Sequence, residues 1–118
     1  MSRRTERVEH LIKEEISLII LFKLQELELG FVTVTNVKVS PDLRIASIYI
    51  SVLERDKREL VLEKIKSNSK LIRTELASKI RIKFVPELRF FIDDTMDYVE
   101  KIDGLIKKIH EEDDNKEN

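Results

Sequence analysis

An α+β domain, with one three-stranded sheet packed against helices, is what this sequence predicts. Three observations carry the prediction. A long amphipathic stretch opens the chain and is followed by two β-branched, alternating runs joined at Ser40-Pro41-Asp42. A charged helical segment then breaks at Ser67-Asn68-Ser69, and a third alternating run follows Pro86. The 118 residues suit a single core. A chain of this size buries about two-thirds of its unfolded surface without disulfides or a structural metal.

From Arg4 to about Leu29 the apolar residues Val8, Leu11, Ile12, Ile16, Ile19, Ile20 and Leu27 recur near the 3.6 period. Glu14, Glu15, Lys23 and Glu26 fall off that stripe, and Gly30 stands where a helix end needs left-handed geometry. Phe31 to Val39 reads as a strand whose apolar phase shifts between Val32/Val34 and Val37/Val39, which predicts a bulge near Thr35–Asn36. Arg44 to Leu53 alternates again, with Ala46, Ile48, Ile50 and Val52 on one face, so the two runs predict an antiparallel hairpin.

Asp56-Lys57-Arg58-Glu59 has capping-box spacing and opens a helix with Leu60, Val61, Leu62 and Ile65 on its apolar side. Ser67-Asn68-Ser69 interrupts it, because these side chains compete for backbone hydrogen bonds. A second helix, from Lys70 to about Lys79, places Ile72, Leu76 and Ile80 on one side. Asn68 and Ser69 are therefore the expected kink, with Asn68 suited to left-handed backbone. Leu88, Phe90 and Ile92 form a third strand, and Ile80, Ile82 and Phe84 alternate ahead of it toward the sheet edge. Asp94 or Thr95 caps a last helix striped by Val99, Ile102, Leu105, Ile106 and Ile109. Gly104 weakens that helix by about 1 kcal/mol relative to Ala. One domain over 1–109 is expected, with 110–118 an acidic, disordered tail.

Without the last helix the order is α-β-β-α-α-β, that of a type II KH domain, a fold associated with RNA. The usual G-x-x-G clamp is missing, since Ser67-Asn68-Ser69-Lys70 occupies its place. That leaves shape and phosphate recognition of folded RNA.

Composition excludes much chemistry. With no Cys there is no disulfide scaffold, zinc finger or thiol nucleophile, and two Gly cannot write a phosphate loop. No cofactor is expected. Residues 1–15 lack the apolar core of a secretory signal, and Ile16–Phe22 is far short of the ~20 residues that span a bilayer. A cytoplasmic chain without membrane contact is the expectation.

The net charge of −1 hides an uneven distribution. Residues 1–92 carry 18 Lys/Arg against 13 Asp/Glu, whereas 93–118 carry 4 against 10. Between 64 and 83 stand Lys64, Lys66, Lys70, Arg73, Lys79, Arg81 and Lys83 against Glu75 alone. On an unbroken helix Lys66, Lys70 and Arg73 would lie within about 40° of one another. That stripe suits a phosphate backbone, the competing reading being an ordinary solvated face. Arg3, Arg4, Arg7 and Arg44 add support, although Glu6 and Glu9 interleave the first three.

Other signals compete with this one. Asp93-Asp94-x-x-Asp97 has the look of a paired-carboxylate Mg²⁺ motif, but acids at a helix start serve capping and the helix dipole. Capping is preferred, and no metal site is assigned. His10 and His110 lack triad partners at recognisable spacing. Phe84 and Phe90 fall in the apolar phase, leaving Phe91 as the one candidate exposed aromatic, with packing under the last helix preferred.

The Ser40-Pro41-Asp42-Leu43-Arg44-Ile45-Ala46 turn, the kinked pair leading through Ile72-Arg73-x-x-Leu76, and above all the run from Arg81 to Asp94 resemble the bacterial ribosome-binding factor A family. The resemblance covers about residues 3–109. It implies a KH-type fold with a helix–kink–helix in place of the clamp. It also implies binding to the immature 30S subunit, a role in late maturation of 16S rRNA, and association with growth in the cold. Members do no chemistry, so no enzyme and no small-molecule substrate are implied, and a monomer is expected. The family's kink usually reads Ala-x-Gly, whereas this chain has Asn68-Ser69-Lys70, which adds a charge. The alternative is an α+β protein–protein interaction module without RNA binding.

Overall fold

The computed structural model describes residues 3–117; the side chains of Arg3, Leu24, Gln25, Met96 and residues 111–117 are outside the described set. Helix α1 (Arg3–Leu27) leads into β1 (Val32–Val39) and β2 (Ile45–Val52). A short 3-10 turn (Arg55–Lys57) precedes α2 (Arg58–Ser67) and α3 (Ser69–Lys79), then β3 (Glu87–Ile92) and α4 (Thr95–Glu117). This is the α+β order the sequence predicts, with three strands.

The sheet runs β1-β2-β3, with β1 antiparallel and β3 parallel to β2. Val32, Val37, Val39, Ala46, Ile48, Ile50, Val52, Leu88 and Phe90 point into one buried face. The β1 register shifts between Val34 and Asn36, so Thr35 is the extra residue that lets both halves of β1 turn valines inward. α1 covers β1 and abuts α3, while α2 and α3 cover β3. Ile12, Ile16, Ile65, Ile72 and Leu76 complete the core from the helices. Each such side chain contributes about 1.5–3 kcal/mol by leaving water. Glu9 adds a polar tie by accepting the Val39 amide at 3.0 Å.

α1 ends through positive φ at Glu28 and Gly30, as the glycine predicts. Lys23 reaches Glu26 at 3.1 Å and Glu75 of α3 at 3.5 Å.

The structure departs from the sequence reading in several places. Asp56 caps nothing, because a 3-10 turn takes its position and α2 starts from Lys57 without a side-chain cap. The kink falls at Asn68, but with φ −101° and ψ 10° it is not left-handed. Its amide instead donates to the Ile65 carbonyl at 3.1 Å and its side chain to the Lys64 carbonyl at 2.8 Å, so the bend is held by hydrogen bonds. Residues 81–86 form a loop rather than a sheet edge, since β3 must cross over to run parallel to β2. α4 spans Thr95–Glu117, and no Gly or Pro follows Gly104 along it. Finally, Phe91 does not pack beneath α4; it stacks on Tyr49 with centroids 5.5 Å apart on the open sheet face.

Candidate nucleic-acid interface

The residues that converge come from four separate stretches of chain. Ser40 and Asp42 organise the β1–β2 turn: Asp42 accepts from the Ser40 hydroxyl at 2.6 Å and the Arg44 amide at 3.1 Å. The Ser40 hydroxyl, followed by the Arg44 amide, holds the Asp42 carboxyl below its usual range. Leu43 takes φ 62° so that the chain can reverse, and Arg44 follows it. On α3, Arg73 donates to the Val85 carbonyl at 2.7 Å and so fixes the loop ahead of buried Pro86.

Between these parts lies a cleft of about 660 Å³. Arg4 of α1, Arg44 after the turn, Arg73 of α3 and Lys83 of the loop line it, with Asp42 as its single acid. Val8, Leu43, Ile82, Val85 and Pro86 supply apolar lining. Clustered charge over low-dielectric walls focuses the field and attracts anions. Lys83 Nζ sits 5.5 Å from the Phe84 ring centroid, and Phe84 is 74% exposed. Phe84 is thus not core, because the loop replaces the strand that would have turned it inward.

The other predicted bases are dispersed. Lys66 and Ser69 line a shallow groove of about 260 Å³ at the kink, with Arg89 and Phe91 across from them. Arg89 is paired with Glu87 at 3.1 Å. Arg7 lines a neighbouring groove along α1, where Glu6 and Glu14 dilute its charge. Lys64 is half-buried and donates to the Leu27 carbonyl at 3.1 Å, closing the end of α1. Lys70, Lys79 and Arg81 line neither the cleft nor the kink groove. The Arg3 side chain lies outside the described residues. Sequence reasoning missed Phe84 and the apolar lining, whose signal was Lys83-Phe84 directly before a Val-Pro pair.

Two of the acids at the start of α4, Asp93 and Asp97, have protein partners. Asp93 accepts from the Thr35 hydroxyl at 2.5 Å and from the Thr95 amide at 2.9 Å. Arg58 grips Asp97 with two bonds, of 2.5 and 3.0 Å. Among the described residues no group of three or more acids, histidines or cysteines is arranged to hold a metal. Nor is any helix among them long and apolar enough to cross a membrane.

The family model for ribosome-binding factor A matches residues 4–106. A ribosome-binding factor A from Thermodesulfovibrio yellowstonii is 42% identical over 107 residues, covering 91% of each chain. The crystal structure of ribosome-binding factor A from Thermus thermophilus shares the fold, with TM-score 0.64 and 24% identity over 75% of this chain and 94% of that one. A Thermus thermophilus homology model fitted into a cryo-EM map of a 30S–ribosome-binding factor A complex aligns with TM-score 0.56 and 22% identity, over 71% of this chain and 89% of that one. The family model spans most of the chain and the relative is 42% identical over 91% of it, so this chain belongs to the ribosome-binding factor A family.

Proposed function

We propose that this protein docks on the immature small ribosomal subunit and contacts 16S rRNA through its basic cleft. The observation that carries the reading is the meeting of Arg4, Arg44, Arg73 and Lys83, from four chain segments, with one acid among them. Phosphates placed there release condensed counterions, so affinity falls as salt rises. The kink groove with Lys66 and Ser69 offers a second, weaker contact. Arg7, Lys70, Lys79 and Arg81 form the outer field that steers the encounter. The fitted relative in a 30S complex supports the choice of partner. Docking without catalysis, during late 16S rRNA maturation in the cytoplasm and as a monomer, completes the reading.

Sedimentation through a sucrose gradient at low and high salt tests it. Co-migration with free small subunits at low salt, lost at high salt, is expected. An Arg44→Glu/Lys83→Glu chain should lose about tenfold or more in subunit binding, since two phosphate contacts become repulsive. Absence of the unaltered protein from the subunit peak at low salt would instead favour a protein-binding module.

A further inference from the structure

Phosphate contacts alone do not require the shape of this cleft. A flat row of Lys and Arg suffices for a backbone, yet here four bases surround a concavity of about 660 Å³ with an apolar lining. Its volume falls in the range of small-molecule sites, roughly 300–1,000 Å³. Phe84 stands at its edge with a largely exposed ring that the core does not use. Such a ring is a platform for a flat, apolar-faced group, and Lys83 beside it supplies a cation for the attached anion.

We propose that the cleft takes up one unpaired RNA nucleotide, its base against Phe84 and the apolar lining and its phosphate among Arg4, Arg44 and Lys83. The inference rests on the RNA-binding reading above and adds to it a structural class of ligand. A paired base cannot enter, because its faces are held in the stack; an unpaired base can be splayed out. No Asn, Gln, Ser or Thr lines the cleft. The lining side chains that could read a base edge are engaged within the protein, Asp42 by the Ser40 hydroxyl and the Arg44 amide and Arg73 by the Val85 carbonyl, so stacking dominates the contact with the base and the site is tolerant of sequence. The ligand is therefore an unpaired position in rRNA, chosen by its being unpaired more than by its identity.

The test uses the full chain at low salt, with dye-labelled oligo(U) and oligo(A) hexamers and an RNA duplex as anisotropy probes. Both hexamers should bind with similar affinity. Phe84→Ser should weaken them by about tenfold, within the range of one lost base–aromatic stack. Phe84→Trp should retain binding, and the duplex should be indifferent to both changes. The exposed ring predicts unchanged thermal midpoints, which separates binding from folding. Unchanged hexamer affinity in Phe84→Ser overturns the inference even if subunit co-sedimentation stands. So does an unaltered chain that sediments with subunits but binds neither hexamer. Displacement of the hexamer by free UMP or AMP at comparable concentration overturns it in favour of a mononucleotide site. If the unaltered chain binds neither hexamers nor subunits, the RNA-binding reading falls with it.

Discussion

Helices α1 and α4 both carry an apolar stripe at helical spacing, but only α1 has something to pack against. In α1, Ile12 and Ile16 are fully buried; in α4, Tyr98, Val99, Ile102, Leu105, Ile106 and Ile109 are between 42 and 60% exposed. The difference lies in position along the chain. α1 is followed by β1, which it covers, and α2 and α3 pack on β3 at the other edge of the sheet's buried face. α4 leaves the end of β3 after every place on the buried face is filled. It is secured at its root by Asp93 to Thr35, by Arg58 to Asp97, and by Arg55 to Asp97 and Glu100. Periodicity announces an apolar face, whereas topology decides whether anything covers it.

The largest effects should fall on the body. Ile16→Ala or Ile48→Ala leaves a cavity in a close-packed core and should cost about 2–5 kcal/mol in denaturant unfolding. Ile106→Ala on α4 should stay within about 0.5 kcal/mol. An equal loss at Ile106 would show that the stripe is covered in solution. Charge comes next: reversing Lys107 and Lys108 on α4 should leave subunit co-sedimentation unchanged, in contrast to Arg44 and Lys83.

Acid should act on the root of α4 before the core. The Thr35 hydroxyl, with the Thr95 amide, keeps the Asp93 carboxyl below its usual range, and the Arg58 guanidinium does the same for Asp97. Both acids bind protons more weakly in the folded state than in the unfolded chain. Their contribution is therefore present above the ordinary carboxylate pKa of about 4 and is lost as pH falls through the lower folded values. Amide exchange at residues 95–98 should quicken across that window while Ile48 and Ile50 remain protected. Uniform loss of protection would show that α4 and the sheet open as one unit.

The smallest change is Gly104→Ala. A Cβ there meets nothing within 4 Å, so α4 should gain up to about 1 kcal/mol of helix stability without moving the body's thermal midpoint.

Much of this architecture was legible in the residues. The valine phase shift announced the Thr35 bulge, since one extra residue is the simplest way to keep both halves of β1 facing inward. The serines and Asn68 announced a break, though not its backbone geometry, because hydrogen bonds to Ile65 and Lys64 settle that. The candidate site was half legible. Arg44 was separated from Arg73 and Lys83 by the whole crossover, and charge counting along the chain favours neighbours in sequence. Lys64 shows what a basic run does not reveal: one of its ammonium N–H groups is given to the open carbonyl of Leu27. Phe84 was misplaced because alternation alone cannot show that the chain leaves regular structure at Ile80 and resumes it at Glu87.

The parallel pairing of β3 with β2 has a consequence for how the protein is made. An antiparallel hairpin can close as soon as its second strand exists, but a parallel strand must wait for the crossover to be built. Arg4, Arg44 and Arg73 all precede β3 in the chain, yet the loop that completes their cleft is fixed only once residues 87–92 join the sheet. A growing chain therefore carries these cations as unconnected charges until β3 is made. It acquires a shaped binding surface only after β3 has been made and has joined the sheet.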